Sequence, residues 1–232
     1  MQAAIMQPYL LPYIGYFQLI NAADLFIVYD NIKYTKKGWI NRNRFLQNGR
    51  DVLFSIPLRK DSDFLDVRDR SLAPDFKRDN LLNQFREAYH RAPYFESAFA
   101  VFEKVVTSQE TNLFKFLLAS IGEACRYLEI ETRVAISSEI PIDHTLRGKE
   151  RVMALCRAVG ADTYINPIGG QELYSRPEFA AHGITLLFLR SRPWEYRQFG
   201  APVVPSLSII DVMMFNPKEA IRAALAGNYD LT

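Results

Sequence analysis

Residues 3–31, AAIMQPYLLPYIGYFQLINAADLFIVYDN, decide the fold class. "AAIMQ" is an apolar run of strand length. A turn carrying Pro8, Pro12 and Gly15 follows, then "GYFQLINAA" with helical character, then a second strand in "DLFIVYDN". Residues 25–29 are apolar on both faces, as a central parallel strand requires. Strand, helix and strand in this order predict a βαβ opening. They also put the Pro8–Gly15 turn at the carboxyl edge of a parallel sheet, where ligands of such sheets bind.

The rest of the chain extends that reading. "WINRNRFL" and "DVLFSIPL" flank Asn48-Gly49, a hairpin signal. The first arm is so polar at Asn41, Arg42, Asn43 and Arg44 that it reads as an edge or ligand-facing strand. "DSDFLDVRDRSL" reads as a charged loop. From about 74 to 128 the pattern is helical: Leu81, Phe85 and Tyr89 form one stripe, residues 95–106 a second helix, and Leu113, Phe116, Leu117, Ile121, Cys125 and Leu128 a third. This block could pack as a lobe of its own. The sheet resumes in "TRVAISS", followed by the helix "GKERVMALCRAVG", closed by Gly160, and the strands "DTYINP" and "GITLLFLR". "SLSIIDVMMFN" reads as a short buried helix. "NPKEAIRAALAG" reads as a last one, with Asn216 as cap, Pro217 in the first turn and Glu219 completing a capping box. The expected fold is α/β, with a mostly parallel Rossmann-like sheet opening with a βαβ unit, a β-hairpin and an inserted helical block, in one domain over residues 1–232.

With 49% hydrophobic residues, 16 Phe and 12 Tyr, the chain can bury a sizeable core, which excludes intrinsic disorder. Two cysteines are too few for a disulfide framework and favour a reducing compartment. Pro8 and Pro12 interrupt an N-terminal run that lacks a basic region, so no secretory leader is expected, and no stretch is apolar enough for a membrane span. A cytoplasmic location is expected. Net charge is only +2, yet Lys33, Lys36, Lys37, Arg42, Arg44 and Arg50 fall in one stretch without an acid. A local basic run on an otherwise mildly acidic chain points to one anionic ligand rather than to nucleic acid.

Several stretches could carry chemistry. In the opening turn the prolines stiffen the backbone, Gly15 permits close approach, and the helix beginning near Tyr16 offers free N–H groups to an anion; a rigid aromatic turn would look the same. Tyr13-Ile14-Gly15-Tyr16 has the spacing of the HxGH signature of nucleotidylyltransferases, with tyrosines in place of both histidines. A phenol cannot supply the positive charge that stabilises a transferred phosphoryl group. Ile136-Ser137-Ser138 is similar to the second motif of that superfamily but lacks its basic residue, so nucleotide binding is favoured over adenylyl transfer. "NIKYTKKGWINRNR" is the candidate phosphate and sugar clamp, with Arg42 and Arg44 as forks, Lys37 as point charge, Asn41 as a polar contact and Trp39 as a stacking platform; a solvated charged face is the alternative. In "YINPIGGQELY", Asn166, Gly169, Gly170, Glu172 and Tyr174 follow a strand at the same edge, which an ordinary tight turn would also do. Asp30, at the end of the second strand, and His144, beside Asp143, are the candidate general bases. Cys125 and Cys156 lie on apolar helix faces, and no cluster has metal-ligand spacing, so neither metal nor cofactor is expected.

Three blocks, residues 4–44, "GADTYINPIGGQELY" and "SLSIIDVMMFN", resemble the defining blocks of the WbqC-like protein family and span residues 4–216. Members of that family occur in bacterial O-antigen and related surface-glycan loci. The resemblance implies a role around nucleotide-linked or lipid-linked sugars, with transfer of an acyl or aminoacyl group to an amino-sugar as the expected reaction. The partners it implies are a nucleotide-linked amino-sugar and an acyl or aminoacyl donor, a thioester or carrier protein. Matched block by block, it marks Gln7, Pro8, Tyr9, Tyr13, Gly15, Tyr16, Asp30, Lys37, Trp39, Asn41, Arg42, Arg44, Asn166, Gly169, Gly170, Glu172, Tyr174, Ser208 and Asp211 as site residues. A non-catalytic binding or assembly protein that has lost the catalytic histidines stays open beside the transferase.

Overall fold

A computed structural model of the chain describes residues 1–200 and 202–232. The opening stretch forms β1 (Gln2–Met6), α1 (Ile14–Ala22) and β2 (Leu25–Val28), and β1 pairs with β2 in parallel from Ala3–Leu25 to Met6–Val28. Both strands are apolar on both faces because each face meets a different core. Ala4, Phe26 and Val28 point into one core, and Ala3, Ile5, Leu25 and Ile27 into the other.

The hairpin is β3 (Arg42–Gln47) and β4 (Arg50–Ser55), an antiparallel pair forming its own two-stranded sheet. Its turn needs left-handed backbone at both central residues, and Asn48 (φ 52°) and Gly49 (φ 74°) provide it. The helical block comprises α2 (Arg78–Tyr89), α3 (Phe95–Val106) and α4 (Leu113–Leu128). It does not form a separate lobe. Phe85 stacks between Phe45 of the hairpin and Phe102 of α3, and these rings belong to the same continuous core as Ala4, Phe17 and Phe26.

Next come β5 (Arg133–Ile136), α5 (Gly148–Ala158), β6 (Thr163–Pro167), α6 (Arg176–Ala181) and β7 (Thr185–Ser191). The chain ends in α7 (Ile209–Phe215), α8 (Lys218–Gly227) and β8 (Tyr229–Leu231). The fold is mixed α/β with a six-stranded sheet in the order β5-β2-β1-β6-β7-β8, parallel except for β8. From β1 the chain builds outward on one side through β2 and β5, then returns to add β6 and β7 on the other. The connections leaving β1 and β6 therefore diverge and open a crevice at their carboxyl ends.

One expected detail differs. Asn216 does not cap α8; its side-chain amide donates to the Val212 carbonyl (2.8 Å), closing α7, and α8 begins after Pro217 without a side-chain cap. The preceding helix ends on this residue, and its unsatisfied carbonyl claims the amide first.

Candidate functional site

The crevice is a cleft of about 860 Å³ at the carboxyl edge of the sheet. Ile5 and Met6 of β1, Gln7 just after it, Asn166 and Pro167 of β6, and Ser191 of β7 form its floor and sides, and the N-termini of α1 and α5 open onto it. Gly15, in the first turn of α1, lets two walls meet. A Cβ there would stand 2.4 Å from both Ser191 Oγ and the Tyr13 ring. Gly170 plays the same part for Asn166, whose Nδ2 would lie 2.1 Å from an added Cβ. Asn166 is buried and fixed, accepting from the Tyr164 hydroxyl at 2.9 Å and donating to the Pro167 carbonyl at 3.0 Å.

The loop between β1 and α1 is held from outside. Asn43 of β3 donates to the carbonyls of Leu10 (2.9 Å) and Leu11 (2.7 Å), and the Ser208 hydroxyl donates to Leu11 as well (2.8 Å). Leu11 is fully buried with φ 41°, a left-handed conformation that costs a non-glycine residue about 1–2 kcal/mol. The three donors keep it there. Asn43→Ala removes two of them and is expected to lower stability by about 2–3 kcal/mol, read as a lower denaturant midpoint at unchanged slope.

The charge on the cleft walls is one-sided. Lys33, Arg147 and Arg151 line it, and no aspartate or glutamate does among the described residues. Arg151, in the first turn of α5, is 6% exposed. Its guanidinium donates to the carbonyls of Asn31 (3.1 Å) and His144 (3.4 Å), lies 5.8 Å from the centre of the Tyr29 ring, and leaves Nε without a partner. Among the described residues no carboxylate pairs with Arg151, Arg147 or Lys33. A buried cation facing only neutral dipoles is under-compensated.

A smaller annexe of about 310 Å³ adjoins the cleft, sharing Tyr9, Tyr13 and Ser206 with it and adding Pro12, Trp39, Asn43 and Arg44. Trp39 is 40% exposed. Arg42 and Arg44 lie 5.8 and 5.3 Å from its ring centre.

The model of the WbqC-like protein family matches residues 7–223. The chain belongs to this family. It is 28% identical over 226 residues, 93% of each chain, to the uncharacterized protein Rv1507c of Mycobacterium tuberculosis. No solved structure matches it. No helix among the described residues is long and apolar enough to cross a membrane.

In this WbqC-like chain the residues singled out from sequence separate into two groups. Gln7, Tyr9, Tyr13, Gly15, Asn166, Gly169, Gly170 and Tyr174 line the cleft, and Trp39 and Arg44 the annexe. The others are placed elsewhere. Arg42, expected as a ligand fork, lines neither space: its Nε donates to the Gly38 carbonyl (2.8 Å) and its terminal nitrogen to that of Lys37, within its own loop. Arg44 pairs with Asp51 at 3.0 Å. Lys37 is exposed and lines neither space. Asn41 accepts from the Tyr34 hydroxyl and donates to the Ile56 carbonyl, both at 2.8 Å. Tyr16 is buried with its hydroxyl on the Gln7 carbonyl (2.8 Å), buried Pro8 lines neither space, and Glu172 is exposed outside the cleft.

Neither expected base is free. The Asp30 carboxylate is buried and accepts from the hydroxyls of Ser137 (2.8 Å) and Ser138 (2.6 Å) and the Ser138 amide (3.0 Å), tying the end of β2 to the turn after β5. Asp143 accepts from Thr145 rather than orienting His144, whose Nδ1 receives the Asn31 amide at 3.1 Å. Ser208 caps the start of α7, and Asp211 lies in its first turn, fully buried. Burial pushes the Cys156 thiol up to about 12, so it is not a nucleophile at neutral pH.

Arg147 and Arg151 were not anticipated. The one local signal is "RGKERV", a helix start in the crossover between two strands of the sheet, where N–H groups and nearby cations can face the sheet edge.

Proposed function

We propose that this chain binds a nucleotide-linked amino-sugar, in a Rossmann-like cleft, within bacterial surface-glycan biosynthesis of the O-antigen type. The observation that carries the reading is Arg151, a buried guanidinium with an unpartnered Nε in a cleft wall that, among the described residues, holds three cations and no acid. A diphosphate supplies the missing counter-charge, and the N-termini of α1 and α5 add N–H donors. Gln7, Asn31, Asn166, Ser191 and Tyr174 offer the polar contacts a sugar needs. Two buried free thiols suit the cytoplasm, where nucleotide-linked sugars are supplied.

The reaction proposed on this ligand is acyl or aminoacyl transfer. The sugar amine attacks the carbonyl carbon of a thioester donor, held free or on a carrier protein; the new C–N bond replaces the C–S bond, and the thiol leaves with the amine proton. One observation favours the second reading, a binding or assembly protein with a degenerate nucleotidylyltransferase-like site. Among the described residues no carboxylic acid, histidine or cysteine lines the cleft, and burial holds the Tyr9, Tyr13, Tyr29, Tyr164 and Tyr174 phenols above the usual tyrosine range. No such group takes a proton at neutral pH, so a transferase here would act by positioning alone.

Calorimetric titration with uridine-, deoxythymidine- and guanosine-diphosphate amino-sugars tests the binding, and thiol release from an acyl-thioester tests turnover. Binding with release supports the transferase, and binding without it the assembly protein. Failure of every nucleotide-sugar to bind refutes both. Arg147→Ala is expected to weaken binding about fivefold at low ionic strength and less at high, because Arg147 is exposed and screened.

A further inference from the structure

The annexe differs from the cleft in chemistry. Its walls are mainly flat and apolar, formed by Tyr9, Pro12, Tyr13 and Trp39. Its most buried polar group is already engaged: Asn43 gives both amide hydrogens to Leu10 and Leu11 and accepts the Arg44 amide at 2.8 Å. What is left for a ligand is the Ser206 hydroxyl, the Tyr13 hydroxyl, the Trp39 indole N–H and the half-buried Arg44 guanidinium, already paired with Asp51. A sugar carries a hydroxyl on almost every carbon and would leave several of them without partners there. A nucleobase has two flat faces and a few polar edge atoms, which is what these walls can satisfy.

The mounting of Trp39 supports the same ligand. The guanidinium of Arg42 is tied to the carbonyls of Lys37 and Gly38, and that of Arg44 to Asp51. Both cations are thus fixed over an indole that lines the annexe and keeps 40% of its surface exposed. This gives Arg42 the positioning role that its absence from the cleft left open.

We infer that the annexe is a nucleobase subsite in which Trp39 stacks on the base of a nucleoside diphosphate whose phosphates lie in the adjoining cleft. This rests on the reading of that cleft as an anion site. The ligand then runs through the shared boundary at Tyr9, Tyr13 and Ser206, with its sugar at the polar end among Asn31, Asn166 and Tyr174.

The test compares inorganic diphosphate, the common nucleoside diphosphates and one nucleotide-linked sugar on wild type, Trp39→Ala and Trp39→Phe, by calorimetry and by indole fluorescence. For the preferred nucleoside diphosphate, Trp39→Ala is expected to lose about 5- to 150-fold in affinity, the equivalent of about 1–3 kcal/mol for one stacked base. Trp39→Phe should recover most of it. Inorganic diphosphate should bind all three proteins equally, and only the nucleoside should quench Trp39 emission. Diphosphate binding without a nucleoside contribution, or unchanged nucleoside diphosphate affinity in Trp39→Ala, overturns the subsite. So does a Trp39→Ala loss seen only with the nucleotide-linked sugar, which would place the sugar in the annexe. If neither diphosphate nor any nucleotide binds wild type, the anion reading of the cleft has failed instead.

Discussion

Asp211→Ala should be the most destabilising single substitution discussed for this chain, by about 4–6 kcal/mol. The carboxylate is fully buried and accepts three hydrogen bonds, from the hydroxyls of Tyr89 (2.7 Å) and Tyr196 (2.5 Å) and from the Gln198 amide (3.0 Å). Tyr89 in turn accepts the Leu46 amide at 2.8 Å, so one side chain on α7 joins α2, the hairpin and the segment after β7. Alanine leaves the Tyr89 and Tyr196 hydroxyls unpaired, at about 1–3 kcal/mol each, takes one of two acceptors from the Gln198 amide, and opens a cavity in the core. For a domain of this size, thermal unfolding should fall by about 10–20 °C.

The same residue gives the protein a pH dependence. Burial raises the Asp211 carboxyl to about 6, against the opposing pull of its three donors. A folded value above the unfolded one means that the native state favours the protonated form. The stabilisation is complete below the unfolded value near 4 and declines as pH rises to about 6, by roughly 1.4 kcal/mol for each unit of separation. Asp211→Asn removes this component. The stability of wild type relative to the asparagine variant should therefore fall by about 2–3 kcal/mol between pH 4 and pH 7, measured by denaturant titration across the range.

Arg151→Met separates binding from folding. In the unliganded protein the substitution removes an under-compensated buried charge and also frees the carbonyls of Asn31 and His144. These effects oppose each other, and the net change in stability should stay within about 1 kcal/mol. With ligand present, the phosphate loses its most buried cation, and affinity should fall by about 3–5 kcal/mol, more than a hundredfold. A loss of stability without a loss of affinity would make Arg151 a structural residue and remove the main support for an anion site.

Much of the fold is legible in residues 3–31, because a strand that is apolar on both faces and followed by a helix has few arrangements open to it. The hairpin is legible from Asn48-Gly49, whose backbone angles few other pairs adopt, and the helical block from the Leu81, Phe85 and Tyr89 stripe. Half of the site is legible for the same local reason. Asn166 ends a strand, Gly170 follows it, and Tyr13 and Gly15 open the helix after β1; strand ends and the helix starts that follow them gather at one edge. The cations are not legible in this way. The run containing Arg42 and Arg44 is conspicuous in sequence, yet those guanidinium groups find partners within the hairpin and the loop before it. Arg151 sits in an unremarkable amphipathic helix, and only the crossover that places β6 beside β1 brings it into the cleft wall. Asp211 reads as an odd acid in an apolar run; its partners lie 122, 15 and 13 residues away, beyond the reach of local pattern.

The most direct test of the central claim is a crystal structure of the protein with a nucleotide-linked amino-sugar. The account predicts the diphosphate between the N-termini of α1 and α5, within hydrogen-bond distance of Arg151. A ligand bound away from Arg151, or an empty cleft at saturating concentration, would contradict it.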